Sequence, residues 1–230
     1  MPENTKYAAR LAIDYPAKLD RLTTFFRIIW VIPIAIILGL VSRTGETVTR
    51  TVLLNQASEV VKTTRETAGG LITGLMVATA LIILFRQRYP RWWFDFSREL
   101  TRFAARVGAY LCLLTDQYPS TVDEQSVHLE IDYPDAKKDL NRWLPIFKWF
   151  LAIPHYIVLA FLVVGAMFAV VFAWFAILLT GQYPRSLFDF VVGVTRWGLR
   201  VNAYAFLLVT DKYPPFSLDQ EAIPTESNTS

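Results

Sequence analysis

His155, the recurring carboxylates Asp116 with Asp211 and Asp14 with Asp132, and the arginines Arg98, Arg102, Arg106, Arg196 and Arg200 are the residues whose types and spacing could carry chemistry. A histidine inside an apolar stretch suggests a haem or metal ligand or a proton site. His155 stands alone, however. Its counterpart in the first half of the chain is Ile34, and the other histidine, His128, lies in a polar linker, which argues against bis-histidine ligation. The alternative is a histidine hydrogen-bonded between helices. Paired carboxylates suggest general acid and base work, but only where two groups converge in a pocket. The bland expectation is a solvated carboxylate near Arg98 or Arg196. Zinc-ligand spacing, a phosphate-cradling glycine loop and a serine elbow are absent from the sequence, so no catalytic residues, cofactor or metal are expected. Arginine offers a planar fork of donors suited to phosphate oxygens, so the five arginines are candidate anchors for anionic lipid headgroups.

These residues sit on a chain that repeats itself. Six Tyr-Pro dipeptides fall in two sets, Tyr15, Tyr89 and Tyr118 against Tyr133, Tyr183 and Tyr213. Around them Ile13-Asp14-Tyr15-Pro16 returns as Ile131-Asp132-Tyr133-Pro134, Asp20-Arg21 as Asn141-Arg142, and Phe26-Arg27 as Phe147-Lys148. Ile32-Pro33 returns as Ile153-Pro154, and Thr115-Asp116 as Thr210-Asp211. Units of roughly 100 residues are too long for solenoid repeats and read as two copies of one module. The first repeat is 1–120 and the second 121–230.

Apolar residues are concentrated into blocks rather than spread as a soluble core requires. Phe25 to Val41 carries only Arg27, Leu71 to Phe85 carries no charge, and Ile146 to Thr180 carries only Lys148. About 20 apolar residues cross a hydrocarbon core roughly 30 Å thick. The fold class expected is therefore an all-α membrane protein, a tandem parallel repeat with four short transmembrane helices at about 22–41, 70–86, 144–164 and 166–180. The 144–180 block is read as a hairpin turning near Gly165, with a re-entrant hairpin as competitor. Pro33 and Pro154 should kink the first and third spans. The insertion 42–70 is polar and occurs in the first repeat only.

Two further helices, in 91–115 and 185–210, are amphipathic. The first sets Trp92, Trp93, Phe96, Leu100, Phe103, Val107, Tyr110 and Leu114 against Asp95, Arg98, Arg102 and Arg106. The second opposes Phe188, Val194, Trp197, Val201 and Tyr204 to Asp189, Arg196 and Arg200. Such stripes predict helices lying in the interfacial plane. With the six Tyr-Pro tyrosines, Trp92, Trp93 and Trp197 are the expected interface anchors. Alternation at Leu11 and Ile13, and at Val127, Leu129 and Ile131, allows a small β pairing of the copies on the cytoplasmic side. The tail from Ile223 reads as disordered.

Net charge is +3, but of the 23 Lys and Arg only Arg43, Arg50, Lys62 and Arg65 lie between the first two spans. Positive charge then places the opposite side, both termini and all Tyr-Pro dipeptides in the cytoplasm. No signal peptide is visible at the start, and the single cysteine, Cys112, excludes an intramolecular disulfide.

Ile131 to Pro134, Asn141 to Pro145, Ile153 to Tyr156 and Gly181 to Arg185 resemble a widespread bacterial family of integral membrane proteins catalogued as a domain of unknown function. The resemblance covers most of residues 10–220 and implies an inner-membrane, multi-pass location without an established activity.

Three functions compete. The leading one is a non-enzymatic scaffold or accessory subunit that binds anionic lipid and a larger membrane-protein partner, or a second copy of itself, with no nucleic acid involved. It rests on abundant aromatic surface, 7 Trp, 10 Tyr and 16 Phe, beside few catalytic groups. The second is a transport component with a pathway between the repeats, restricted to passive or complex-dependent transport by the lack of midplane charges. The third is a lipid-modifying enzyme using Asp116 or Asp211.

Overall fold

The computed structural model describes residues 7–27, 32–33, 71–121, 123 and 125–219. The insertion 42–70, most of the first expected span and the tail from residue 220 lie outside them. Strand β1, Ala9–Ile13, is followed by a helical segment at residues 21–27, here α1. Then come α2 (Leu71–Arg86), α3 (Arg91–Leu111), β2 (Val127–Ile131), α4 (Leu144–Leu151), α5 (Ile153–Thr180) and α6 (Arg185–Ala205).

β1 and β2 form an antiparallel two-stranded sheet centred on Leu11 opposite Leu129. One face of the ribbon is buried, through Ala9, Leu11 and Ile13 with Val127, Leu129 and Ile131. The small β pairing read from the alternation is therefore present. Two backbone bonds extend it symmetrically, from Asp14 N–H to the Ser126 carbonyl (3.0 Å) and from Asp132 N–H to the Ala8 carbonyl (2.8 Å).

α3 packs on β2 and α6 on β1, while α5 packs along α6. The result is layered: sheet, then the two amphipathic helices, then the apolar helices. α5 is buried on one side only, at His155, Ala169, Ala173 and Ile177. Its other side exposes Phe161, Phe168, Phe172, Phe175 and Leu179.

The hairpin expected near Gly165 does not occur. α5 runs unbroken for 28 residues, about 42 Å at 1.5 Å per residue. Gly165 packs against the Phe190 ring, 3.5 Å from where a Cβ would stand. The stretch around it holds no proline and no polar turn residue, so nothing interrupts the helical ladder. The break comes earlier, at Ala152, because Pro154 has no N–H to donate and its ring crowds the preceding turn. The expected disturbance at Pro154 is thus real. α5 ends at Gly181, whose φ of 76° is the left-handed cap a glycine adopts without strain. Leu144–Thr180 is the one helical stretch among the described residues long and apolar enough to cross a membrane, judged by length and composition.

Candidate functional site

The polar side chains organise two nodes of the same design. At the start of α1, Asp20 accepts the N–H of Leu22 through its carboxylate (3.0 Å), while its own N–H is held by Asp116 Oδ2 (2.8 Å). Asp116 also pairs with Arg27, which donates to the Tyr110 carbonyl and lies 4.4 Å above the Tyr110 ring. At the start of α4, Asn141 accepts the N–H of Trp143 (3.0 Å) and Asp211 accepts that of Asn141. Asp211 pairs with Lys148 (2.7 Å), which donates to the Thr210 carbonyl (2.7 Å) and faces the Tyr204 ring.

Arg27 and Lys148 are buried, Lys148 completely. A buried cation is tolerated when its charge is paired and its donors are occupied. Each node supplies the counter-charge and a backbone acceptor, although Arg27 Nε is left without a partner. The recurring Asp116 and Asp211 therefore neutralise Arg27 and Lys148, not Arg98 or Arg196. Asp14 and Asp132 are engaged elsewhere. Asp132 and Glu130 bind Arg10, whose guanidinium is held further charged by the Asp132 hydrogen bond, and Asp14 lies 3.1 Å from His128. The four recurring carboxylates each face a different basic residue, Arg27, Lys148, Arg10 or His128, and are not paired with one another.

The arginine stripes are mostly turned inward. Arg106 is buried and donates to the Ser120 carbonyl, and Arg200, 4% exposed, donates to those of Ser217 and Asp219. Arg196 Nε bonds the Leu11 carbonyl (2.9 Å), and burial lowers its pKa. The chain after each amphipathic helix folds back over the arginine face, which a single-helix projection cannot reveal. Arg98 and Arg102 remain one-third exposed, beside Asp95 and Glu99.

His155 is fully buried in an aromatic cage. Trp197 Nε1–H donates to its Nδ1 (3.0 Å), Phe216 stacks on the ring at 4.0 Å, and Tyr213 lies at 4.7 Å. Because Nδ1 accepts, the neutral ring carries its proton on Nε2, and that atom has no partner. The described residues contain no group of three or more His, Cys, Asp or Glu able to hold a metal.

Three of the Tyr-Pro tyrosines bind backbone across the two halves of the chain. Tyr15 donates to the Tyr183 carbonyl, Tyr133 to that of Tyr89, and Tyr89 to that of Leu207 (2.9 Å). Tyr213 donates to the Leu151 carbonyl (3.2 Å), at the break between α4 and α5. Tyr89, Tyr183 and Trp197 are core residues, and burial pushes both tyrosine hydroxyls well above their ordinary pKa. Trp93 is half-buried and bonds Thr79 (2.7 Å). Tyr118, Tyr133, Tyr213 and Trp92 are the anchors that stay exposed. Tyr15 is intermediate and lies edge-on to Phe188. Burial also raises the Cys112 thiol pKa, so this cysteine is a poor nucleophile.

Sequence reasoning missed the structural weight of Arg27 and Lys148, although their recurrence with Asp116 and Asp211 was the available signal. It also missed Arg86 and Arg88, beside a cavity at the α2–α3 corner.

Residues 66–122 and 143–217 match the family described as Domain of unknown function (DUF4389). No curated protein matches the chain, and no solved structure does.

Proposed function

This chain belongs to the DUF4389 family, and from that footing we propose a non-enzymatic membrane scaffold or accessory subunit. It holds to the bacterial inner membrane through one apolar layer, and binds anionic lipid and a larger membrane partner. The observation that carries this reading is the outer face of α1, α2, α4 and α5. Phe161 and Leu179 are each 77% exposed, with Phe85 at 73% and Leu22 at 68%. Apolar surface this continuous is a contact site for lipid or protein. Most of the buried polar groups, by contrast, are committed to holding the fold. Asp116 and Asp211, on which a lipid-modifying enzyme would depend, are bound to buried cations.

A tandem repeat is part of the proposal. The Asp116–Arg27 and Asp211–Lys148 nodes recur with their capping residues, and the ladder sets each residue of β1 opposite a residue of β2 so that the two strands exchange places. Such an arrangement is isologous, as in a two-fold dimer joined into one chain. Its axis is perpendicular to the sheet.

That axis supports an orientation. α1 lies against the far part of α5, through Phe25 on Trp174 and the Thr24 carbonyl on Trp174 Nε1, while α4 lies against α2. We infer that related apolar helices run antiparallel within one layer, parallel to the sheet. With the axis along the membrane normal, α5 lies in the hydrocarbon of one leaflet, and α3, α6 and the sheet lie toward the headgroups. In this reading a flat, single-leaflet layer replaces the four-crossing, multi-pass arrangement. The Tyr7 hydroxyl bonds the Lys212 carbonyl (3.2 Å), which brings the two ends of the described chain together on one side of the layer, the side we propose to be cytoplasmic.

Spin labels at positions 161, 168 and 175, in a Cys112→Ser background, test the orientation. Equal immersion depth is expected, and a steady gradient from one label to the next would overturn it. Mild-detergent purification followed by intact mass spectrometry tests the scaffold. Bound anionic lipid or a membrane-protein partner is expected, and a bare monomer would count against it.

A further inference from the structure

Where α2 passes into α3, a cavity of about 690 Å³ opens between the end of α2 and the segment after β2. The chain turns there through Gln87, at a φ of 45°. Arg86, Arg88 and Lys137 line the cavity and are exposed, and among the described residues none of the three makes an ion pair. Arg91 stands at its edge, its guanidinium 5.1 Å above the Tyr133 ring. Asp135, the acid in the lining, is engaged by the Lys137 N–H (3.1 Å) and by Lys138 (3.8 Å). Trp92, 69% exposed, flanks the opening, and Phe85 on α2 continues the apolar surface away from it.

The matching corner between α5 and α6 carries fewer cations, with the Arg21 guanidinium beside Gly181. There Gly181 occupies the left-handed position, Thr180 and Gln182 stand where α2 ends in Arg86 and Arg88, and Leu19 N–H bonds the Gly181 carbonyl (3.0 Å). The stretch from Tyr133 to Asn141 is longer than that from Tyr15 to Asp20, and carries Lys137 and Lys138 where the shorter one carries Lys18. The same backbone turn is thus more basic on one side of the molecule, and its neighbouring stretch is longer.

We propose that the α2–α3 corner binds a phosphate-bearing anion, the headgroup of an acidic membrane phospholipid, with Arg86, Arg88 and Lys137 around the phosphate and the acyl chains along Phe85 and Trp92. The assignment rests on the membrane reading and moves the headgroup site away from the arginine stripes. Cations beside an apolar face meet both halves of a phospholipid.

The test uses the full chain in zwitterionic detergent, titrated with short-chain phosphatidylglycerol, short-chain phosphatidylcholine or inorganic phosphate. The wild type should prefer phosphatidylglycerol, and Arg86→Gln/Arg88→Gln/Lys137→Gln should weaken that binding on the order of 100-fold, about fivefold for each cation removed. Arg98→Gln/Arg102→Gln should leave it unchanged. A triple variant that keeps the preference overturns the site, as does its loss in the Arg98/Arg102 variant alone. Inorganic phosphate binding as tightly as phosphatidylglycerol, with the same loss in the triple variant, overturns the lipid assignment in favour of a soluble phosphate. Flotation with liposomes separates the two readings. Wild type and triple variant should both float, and failure of both to float would remove the membrane reading together with this one.

Discussion

Leu11 and Leu129 face one another at the middle of the β1–β2 ladder, with Ala9 opposite Ile131 and Ile13 opposite Val127 on either side. Both leucines are 3% exposed and line an apolar cavity of about 630 Å³ between α3, α5 and α6. If the halves are related by an axis through this pair, Leu11→Ala and Leu129→Ala should be equivalent lesions. Each should destabilise by about 2–3 kcal/mol, the low end for buried leucine because the site already borders empty space. Denaturant unfolding of the two variants checks this, and costs differing by more than about 1.5 kcal/mol would contradict the two-fold relationship.

The tyrosine hydroxyls should not behave alike despite their shared dipeptides. Tyr89 donates to the Leu207 carbonyl, so Tyr89→Phe should cost about 1 kcal/mol. The buried Tyr183 hydroxyl has no partner, so Tyr183→Phe should be neutral or stabilising. Thermal unfolding of the pair distinguishes them, and a larger loss for Tyr183→Phe would show that its hydroxyl is satisfied.

Lys148 and Asp211 should be strongly coupled. Asp211→Asn leaves a fully buried ammonium without its counter-charge and should cost about 3–5 kcal/mol. Adding Lys148→Met removes the stranded charge and should recover much of that loss. The four species form a double-mutant cycle, and additive costs would mean that the pair is not a unit.

How far the sequence announced all this depends on the range over which each signal acts. Alternation at Leu11, Ile13, Val127, Leu129 and Ile131 is a local signal with one physical reading, and the strands formed there. The recurrence of Asp116 and Arg27 as Asp211 and Lys148 was equally visible, but which residue meets which is decided by folding between distant segments. The arginine stripes misled for the same reason. A helical projection places Arg106 and Arg200 opposite the aromatic stripe but contains nothing of the loops that return to Ser120 and Ser217 and cover that face. The Trp197 stripe was legible as apolar. Whether it meets lipid or His155 was not, because either surrounding satisfies an apolar helix face equally well.

Two glycines separate an unbroken α5 from a hairpin. A Cβ on Gly165 would meet the Phe190 ring at 3.5 Å, an ordinary contact, so Gly165→Ala should be tolerated and gain up to about 1 kcal/mol of helix propensity. A chain turning at Gly165 would gain nothing, because extra helix propensity works against a turn. Gly193 in α6 is the control. A Cβ there would stand 2.9 Å from Leu218 Cβ and 3.0 Å from the Leu218 carbonyl oxygen, so backbone as well as side chain must yield. Gly193→Ala should therefore cost about 1–3 kcal/mol by overpacking. It should also displace the segment whose Ser217 and Asp219 carbonyls accept from Arg200, making residues 217–219 more open to proteolysis. Stabilisation by alanine at Gly165 with destabilisation at Gly193 is the expected pattern. The reverse would place the turn back in the middle of α5 and remove the flat layer built on it.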